Sequence, residues 1–415
     1  MRDSIKPFLR YHYVFRDLLT GLIAVVTGAL AAFIVFYAPQ YAIGSNSVAT
    51  MQSTEVDTFS APLALSSGNI KKRSVVGFLP YWAINSKTPI HPEYVDQLIY
   101  FGVTLDKEGN VVTKDLGGNV LQEWLMFTSP EFAIIKEQAK NTGTKVSVAI
   151  KNFDNSQIDT LISNPSYRSR AIANIRTLVT QYELDGVNID FEYFTVVDFP
   201  TMQYLNKFLT ELDKELREEK NDIIISFDVN ASAVYADNAY DMVKIGEIMD
   251  QVIVMGYDYH RATSTQAGPV APLDSTGDEP SIVKTITSLE GRVPKEKLIL
   301  GIPLYGYEWQ TISRTYRSKT LPETGAVASY KRVRELIESR DDVSLGFDDL
   351  SRSPWLTYTQ NGLIKQIYYE DEKSLAHKIA FIHEHDLSGV ALWALGFEGS
   401  YFEPWRIIQE GMWYP

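Results

Sequence analysis

The sequence predicts an α/β protein built as a (β/α)8 (TIM) barrel. Eight apolar runs of strand length recur after residue 73, each bounded by polar or turn-forming residues. They are rich in Val and Ile and nearly continuous, as in strands buried on both faces of a parallel sheet. Segments with helical periodicity separate most of them, and this repeated alternation predicts a closed barrel. The runs are SVVGFLPYW, QLIYFGVTL, KVSVAI, GVNIDF, IIISFDV, QVIVMGY, LILGIPL and GVALWAL.

One interval between predicted strands is too long for a simple crossover. After LILGIPLYGYEW, the chain contains the helical SYKRVRELIES and the strand-like LIKQIYYED before the eighth strand. We interpret Gly306 to Gln366 as a small α+β insertion after strand seven. Barrel enzymes place their sites at the C-terminal ends of the strands, so this insertion is expected to form a wall of a cleft. The alternative is a loop elaboration with no role in the site.

The N-terminal part of the chain has a different composition. Residues 18–38, LLTGLIAVVTGALAAFIVFYA, carry no charge and are about as long as a bilayer-spanning helix. Lys and Arg precede this segment but are absent from Pro39 to Ile70, which predicts a cytoplasmic N-terminus and an extracytoplasmic remainder. A cleaved signal peptide is the alternative, although its apolar region would be shorter. We predict a cytoplasmic stub and transmembrane anchor over 1–38, a flexible linker over 39–73 and the barrel over 74–415.

Charge and cysteine content exclude several functions. The formal net charge of -13 disfavours a nucleic-acid partner, because such proteins need basic surfaces. The chain has 0 cysteines, which excludes thiol catalysis, disulfides and cysteine metal sites. His383 and His385 are two positions apart in a predicted helix and therefore do not face each other. No metal and no cofactor is predicted.

The run LDGVNIDFEYF is unusual because it carries three carboxylates in a segment that reads as a buried strand. Alternation places Asn188, Asp190 and Glu192 on one face, toward the barrel lumen, and the apolar residues between them toward the helices. Burial and repulsion between like charges should leave at least one of these carboxyls protonated near neutral pH. Glu192 is outermost and is the natural proton donor, with Asp190 one step deeper. Asp185 lies at an alternate position, off the lumen face, and is expected to have a structural role.

Four motifs in the same order resemble the chitinase-type glycoside hydrolases of family eighteen. DGVNIDFE resembles the DGxDxDxE signature of the fourth strand, and VIVMGYDYH resembles the M-x-Y-D motif of the sixth. LGIPLYGYEW and GVALWALG are similar to the segments of strands seven and eight. The resemblance covers residues 74 to about 405, nearly all of the predicted globular part.

This resemblance implies a substrate-assisted retaining mechanism, in which the 2-acetamido group of the sugar attacks its own anomeric carbon. Glu192 would protonate the leaving oxygen and later activate water, Asp190 would hold the acetamido nitrogen, and Tyr257 would bind its carbonyl oxygen. Substrate contacts are implied for Asp258, Met255 and Trp393, the last as an aromatic floor for the sugar. Loop aromatics could extend a sugar-binding track, and we select Tyr81 and Trp309 for that role.

Two departures from the family pattern bear on the substrate. Asn188 stands where the signature has its middle Asp, which removes one deep charge below Asp190. The third-strand motif S-x-G-G is missing, since KVSVAIKNF has Ser147 but then Lys151 and Asn152. Both differences favour the branch that acts on bacterial cell-wall glycan, including spore-cortex N-acetylglucosaminidases, over chitin.

The function predicted from the sequence is a membrane-anchored, outward-facing glycosidase. Its partner would be an N-acetylated glycan, either peptidoglycan or a chitin oligosaccharide, cleaved at β-1,4 bonds next to N-acetylglucosamine. The alternative from another class is a catalytically inactive, chitinase-like glycan-binding protein at the cell surface. Retention of Asp190, Glu192 and Tyr257 together argues against that alternative, because a pure binder could lose the acid.

Overall fold

Eight parallel strands close into a barrel in a computed structural model that describes residues 72–84, 88–193, 199–235 and 240–413. Each of the eight predicted apolar runs contains one barrel strand, so the predicted (β/α)8 barrel is confirmed. The strands are β1 (Ser74–Pro80), β2 (Gln97–Thr104), β3 (Lys145–Asn152), β4 (Gly186–Phe191), β5 (Ile224–Asn230), β6 (Gln251–Met255), β7 (Leu298–Pro303) and β13 (Gly389–Trp393). Around the barrel their order is β1-β13-β7-β6-β5-β4-β3-β2, and every neighbouring pair is parallel.

The barrel strands are buried on both faces, as their continuous apolar sequences predict. On β4, Val187, Ile189 and Phe191 are fully buried in the layer between the barrel and its helices. Phe191 stacks on Phe208 of the surrounding helical layer, with ring centroids 5.5 Å apart. The side chains at the alternate positions of β4 therefore point into the barrel lumen, where polar groups can lie.

Helices connect the strands and begin at residues that satisfy their free N–H groups. Ser129 accepts a hydrogen bond from the Phe132 N–H, and Asp371 and Ser374 form a capping box. Gly143 ends its helix with φ 82°, a left-handed conformation that glycine adopts without strain. The helices are α1 (Gln122–Phe127), α2 (Pro130–Thr142), α3 (Asn155–Ser163), α4 (Pro165–Gln181), α5 (Phe199–Glu219), α6 (Ala231–Tyr235), α7 (Met242–Ile248), α8 (Ile282–Leu289), α9 (Tyr330–Ser339), α10 (Glu372–Glu384) and α11 (Glu403–Met412).

A separate antiparallel sheet lies between the seventh and eighth barrel strands in sequence. Its order is β10-β11-β12-β8-β9, and α9 follows β9. The segment LILGIPLYGYEW divides at Leu304, so that its first half is β7 and its second half opens the insertion. Gly306 is required there because a Cβ would collide with the carbonyl oxygen of Tyr368. The insertion strands are β8 (Tyr305–Gln310), β9 (Ala326–Ser329), β10 (Ser344–Asp348), β11 (Ser353–Gln360) and β12 (Leu363–Tyr368).

The predicted anchor and most of the predicted linker lie outside the described residues, which begin at Lys72. Among the residues that are described, no helix combines the length and the apolar character needed to cross a bilayer. The transmembrane segment over residues 18–38 therefore stays a prediction.

Candidate active site

A cleft with a cavity volume of ≈ 1000 Å³ opens at the C-terminal ends of the barrel strands. Acidic side chains from β4 and β5 form its base, the loop after β6 supplies its rim, and the insertion contributes one wall through Tyr305, Tyr307 and Val327. The insertion thus contributes directly to the cleft, as its position after strand seven predicts.

The acidic groups of β4 occupy the positions that alternation predicts. Asn188 is fully buried, Asp190 is 3% exposed, and Glu192 follows the last residue of the strand at the rim. The backbone N–H of Glu192 donates to the carbonyl oxygen of Asn152 on the next strand, which holds the acid against the barrel edge. Asp190 and Glu192 both line the cleft.

A further carboxyl, on β5, was missed by the sequence reasoning. Asp228 is 3% exposed and lines the cleft, and its Oδ1 accepts a hydrogen bond of 2.7 Å from Asn188 Nδ2. The same amide also donates to Ser226 Oγ at 3.0 Å. The alternation of Ser226, Asp228 and Asn230 along β5 was a readable signal that this strand also has a polar inner face. The active site is therefore built on two adjacent strands.

Burial controls the ionisation of these carboxyls. Burial raises the pKa of Glu192 to about 7, although the Arg261 cation and a hydrogen bond from Asn230 act in the opposite direction. Burial also raises the pKa of Asp190 well above its ordinary value, and the charges of Asp228 and Glu192 raise it further. The pKa of Asp228 is likewise raised by burial, against the hydrogen bond from Asn188. The site therefore holds protonated carboxyls near neutral pH.

The loop after β6 brings a phenol and a carboxyl to the same cleft. Tyr257 lines the cavity, and burial together with the surrounding carboxylates raises its pKa well above the ordinary value, so that its hydroxyl remains a neutral donor. Asp258 has φ 62° and accepts hydrogen bonds at Oδ1 from the hydroxyls of Tyr305 and, at 3.1 Å, Tyr307. Arg261 closes this loop by donating from Nε to the Asp258 carbonyl oxygen at 3.1 Å.

Aromatic side chains line the opposite wall and the floor. Trp393 and Met255 both line the cleft, where a substrate could reach them. Trp393 lies edge-on to Phe101 with ring centroids 4.7 Å apart, and Trp82 packs 6.3 Å from Trp393 and is 46% exposed. A flat, partly exposed aromatic surface of this kind suits the apolar face of a sugar ring.

The structure places neither of the two loop aromatics selected from the sequence in the lining of the cleft. Trp309 is 0% exposed, because it lies within β8, and its indole N–H donates to the Arg261 carbonyl oxygen at 3.1 Å. Tyr81 is not part of the cleft lining and instead packs against the main core, while its neighbour Trp82 faces the cavity. Trp309 therefore packs beneath the rim loop, and Trp82, in place of Tyr81, can contact a ligand.

Asp185 has the structural position that its parity predicts. It precedes β4 at the opposite end of the strand from Glu192, and its carboxylate accepts from the Val146 N–H at 3.0 Å. It also pairs with Lys220 at 3.2 Å and with Lys145 at 3.4 Å. These contacts keep its pKa below the ordinary value despite partial burial. Asp185 anchors the start of the strand and takes no part in the cleft.

The arrangement can perform acid–base chemistry on a ligand held against aromatic rings. It offers a carboxyl protonated near pH 7, an adjacent buried carboxyl and a neutral phenol. Within the described ranges, no group of three or more His, Asp or Glu side chains is placed to hold a metal ion.

A (β/α)8 barrel with such an acidic, aromatic-lined cleft at its C-terminal face has the architecture of a glycoside hydrolase. Residues 74–398 match Glycosyl hydrolases family 18, and the chain belongs to this family. The resemblance of the four sequence motifs is thereby confirmed.

Known relatives include eukaryotic and bacterial proteins. The chain is 28% identical over 272 residues to "Probable chitinase 2" of Drosophila melanogaster, covering 60% of this chain and 55% of the relative. It is 29% identical over 266 residues to "Putative sporulation-specific glycosylase YdhD" of Bacillus subtilis (strain 168), covering 61% of this chain and 57% of the relative. The matches thus span little more than half the length of these two relatives.

A solved structure shows the same fold. The Group IV chitinase of Ostrinia furnacalis, crystallised in complex with allosamidin, superposes with a TM-score of 0.71 at 21% sequence identity. The likeness covers 82% of this chain and 99% of that chain.

Proposed function

We propose that this protein is a glycosidase that cleaves β-1,4 bonds next to N-acetylglucosamine by substrate-assisted, retaining catalysis. The observation that carries the proposal is the convergence of Glu192, Asp190 and Tyr257 on one cleft, with burial raising the pKa of each. A catalytically silent glycan-binding protein would have no use for an acid that titrates near neutral pH.

Each of the three groups has one task in this reaction. The Glu192 carboxyl donates its proton to the leaving glycosidic oxygen as the sugar's acetamido oxygen attacks the anomeric carbon, and its carboxylate then takes a proton from the incoming water. The Asp190 carboxylate accepts the acetamido N–H and stabilises the positive charge that develops on the ring formed by this attack. The Tyr257 hydroxyl donates to the acetamido oxygen and fixes its direction of attack.

We favour peptidoglycan over chitin as the substrate. One bacterial relative is named as a sporulation-specific glycosylase. Lys151 gives physical support, because its ammonium lies 5.3 Å from the Phe101 ring centroid and 5.7 Å from that of Phe153, and both rings line the cleft. Within the described residues no carboxylate lies at ion-pair distance from it. Peptidoglycan differs from chitin by a lactyl carboxylate on alternate sugars, which such a cation can bind.

Replacing Lys151 by methionine should therefore change substrate choice. Loss of a charge-assisted hydrogen bond should raise KM for muramic-acid-containing glycan about tenfold. The loss on chitin oligosaccharides, which carry no carboxylate, should be smaller and should come only from the missing effect of the Lys151 cation on the ionisation of Asp190. The measurement is reducing-end release from both substrates. Lys145→Met, at the opposite end of β3, is the matched control. Equal losses on both substrates would contradict the anionic subsite.

The pH dependence should reflect the protonated form of Glu192. Because burial raises its pKa to about 7, the acid is present below that pH and is lost as the pH rises through it, so kcat/KM should fall on the basic side of pH 7. Arg261→Gln removes a cation that favours the ionised form of Glu192, so the basic limb of the pH profile of kcat/KM should move to higher pH. If this basic limb stays in place or moves to lower pH, a group other than Glu192 controls it.

Digestion of two purified polymers by the full chain tests the proposed function. The protein should release new reducing ends from peptidoglycan, with N-acetylglucosamine at the reducing end, and more slowly from chitin oligosaccharides. Binding without cleavage of either polymer would instead establish the catalytically inactive glycan-binding alternative.

We also propose that residues 18–38 hold the enzyme at the membrane with the barrel outside, where the wall glycan lies. The charge asymmetry around this segment supports that orientation. The mature N-terminus of the protein purified from membranes tests it, because a start near Tyr41 would mean that the segment is cleaved.

A further inference from the structure

The polar base of the cleft contains a contact between two strands that the proposed catalytic roles do not use. Asn188 on β4 directs its amide N–H groups to Asp228 Oδ1 and Ser226 Oγ on β5, at 2.7 and 3.0 Å. All three side chains are nearly or fully buried. A buried amide with two such acceptors has one orientation, and that orientation presents a donor to the Asp228 carboxylate.

The two aspartates at the cleft base differ in their partners. Asp228 Oδ1 has the Asn188 N–H as donor, whereas Asp190 Oδ1 accepts no hydrogen bond within the described residues. Two buried carboxyls close enough to influence each other's ionisation cannot both carry a charge at low cost. The hydrogen bond favours the charge on Asp228, so the proton is favoured on Asp190 in the free protein.

We propose that Asp228 is a positioning residue: it supplies from the neighbouring strand the deep carboxyl that the family signature places at the position of Asn188, and its charge sets the protonation of Asp190. Compared with the family signature, the deep carboxyl lies on β5 instead of β4, and the amide of Asn188 occupies the position of the signature's middle Asp. Asp228 thereby controls the pH range over which Asp190 is ionised and able to hold the acetamido N–H. This inference rests on the proposed function for its catalytic consequence.

Other groups around this pair also influence its ionisation. Glu192 adds negative charge from the rim, and the Lys151 cation faces Asp190 from β3. Tyr257 in the β6 loop lines the same cleft and interacts with these carboxyls. Tyr240, before α7, interacts with them electrostatically while its hydroxyl donates to the Phe191 carbonyl oxygen. All of these groups are kept when residues 188 and 228 are exchanged, so the exchange changes only the strand that carries the deep carboxyl.

The experiment uses three variants of the full chain: Asp228→Asn, Asn188→Asp, and the double exchange. In Asp228→Asn, loss of the neighbouring charge should let Asp190 ionise at lower pH, so the acidic limb of kcat/KM should move down by about one pH unit. Asn188→Asp alone adds a third deep carboxyl and should move the limb upward. The double exchange should return it close to the wild-type position.

A second measurement does not depend on activity. A buried carboxyl with a raised pKa stabilises the fold less as the pH rises from its unfolded value through its folded value. Relative to wild type, the Tm of Asp228→Asn should therefore increase as the pH rises above about 4, the ordinary pKa of an aspartate, because the pKa of Asp228 is raised in the folded protein. The double exchange should remove this difference. If wild type cleaves nothing, the proposed function fails while this Tm comparison still tests the ionisation of Asp228 in the folded protein.

A matched exchange elsewhere in the fold provides the control. Asn206 on α5 donates to Asp241 Oδ2 at 3.0 Å, outside the cleft. The double variant Asn206→Asp with Asp241→Asn therefore makes the same exchange of an amide and a carboxyl at a position away from the active site. It should leave the pH profile unchanged. The proposal is overturned if Asp228→Asn only lowers Tm by the same amount at every pH, or if the double exchange restores neither measurement.

Discussion

Replacing Glu192 by glutamine should lower kcat on N-acetylated glycan by a factor of about 10²–10⁴, the usual contribution of a positioned general acid. The amide keeps the shape of the carboxyl but cannot release a proton to the glycosidic oxygen near pH 7. KM should change little, because Trp82, Trp393 and Met255 still line the cleft. The rate of reducing-end formation under saturating substrate measures the effect.

The matched control for this variant is Glu137→Gln, an exposed position on α2 far in sequence from every cleft residue. It should retain the wild-type kcat and Tm. If Glu192→Gln keeps its kcat within about tenfold of wild type, less than the smallest usual contribution of a general acid, then Glu192 does not supply the proton.

Replacing Asp190 by asparagine should cost about 10²–10³ in kcat, the range expected for loss of one preorganised electrostatic contact with a developing charge. Asparagine can still accept the acetamido N–H, but it carries no charge to balance the positive ring that forms during attack. Asp349→Asn, an exposed turn position in the insertion, is the control. The comparison should be made at the pH optimum of each variant, because the substitution also removes one of the coupled carboxyls.

A substrate comparison separates this role from simple binding. An otherwise similar β-1,4 glycan with a 2-hydroxyl in place of the acetamido group should be cleaved by neither wild type nor Asp190→Asn, since it lacks the internal nucleophile. Cleavage of that glycan by the wild-type protein would contradict the substrate-assisted mechanism.

The barrel could be predicted from the sequence because strands buried on both faces appear as continuous apolar runs. Each apolar run became a barrel strand, and the inward parity of Asn188, Asp190 and Glu192 followed from alternation alone. The helix Pro130–Thr142 begins after Ser129 and ends before Gly143, two residue types that local sequence rules associate with helix ends. Local rules sufficed for these features because neighbouring residues determine them.

The sequence reasoning failed where the outcome depended on contacts between distant segments. Tyr81 and Trp82 are adjacent, and nothing local indicates which of them faces the cavity. The position of Trp309 was not foreseen because the segment LILGIPLYGYEW divides between two sheets, and β8 packs the Trp309 ring beneath the rim loop. Asp228 was different: its parity was visible on β5, but a single acid in an apolar run was read only as part of a strand.

The hydrogen bonds from Tyr305 and Tyr307 to Asp258 have a consequence for protein engineering. Both hydroxyls belong to β8, the first strand of the insertion, and their acceptor belongs to the β6 loop that also carries Tyr257. A chimera that exchanges the insertion for that of another barrel would leave the carboxylate without its two donors, even if every barrel residue were kept. An insertion taken from another barrel should therefore carry tyrosines at positions 305 and 307, because the insertion and the β6 loop depend on each other through these hydrogen bonds.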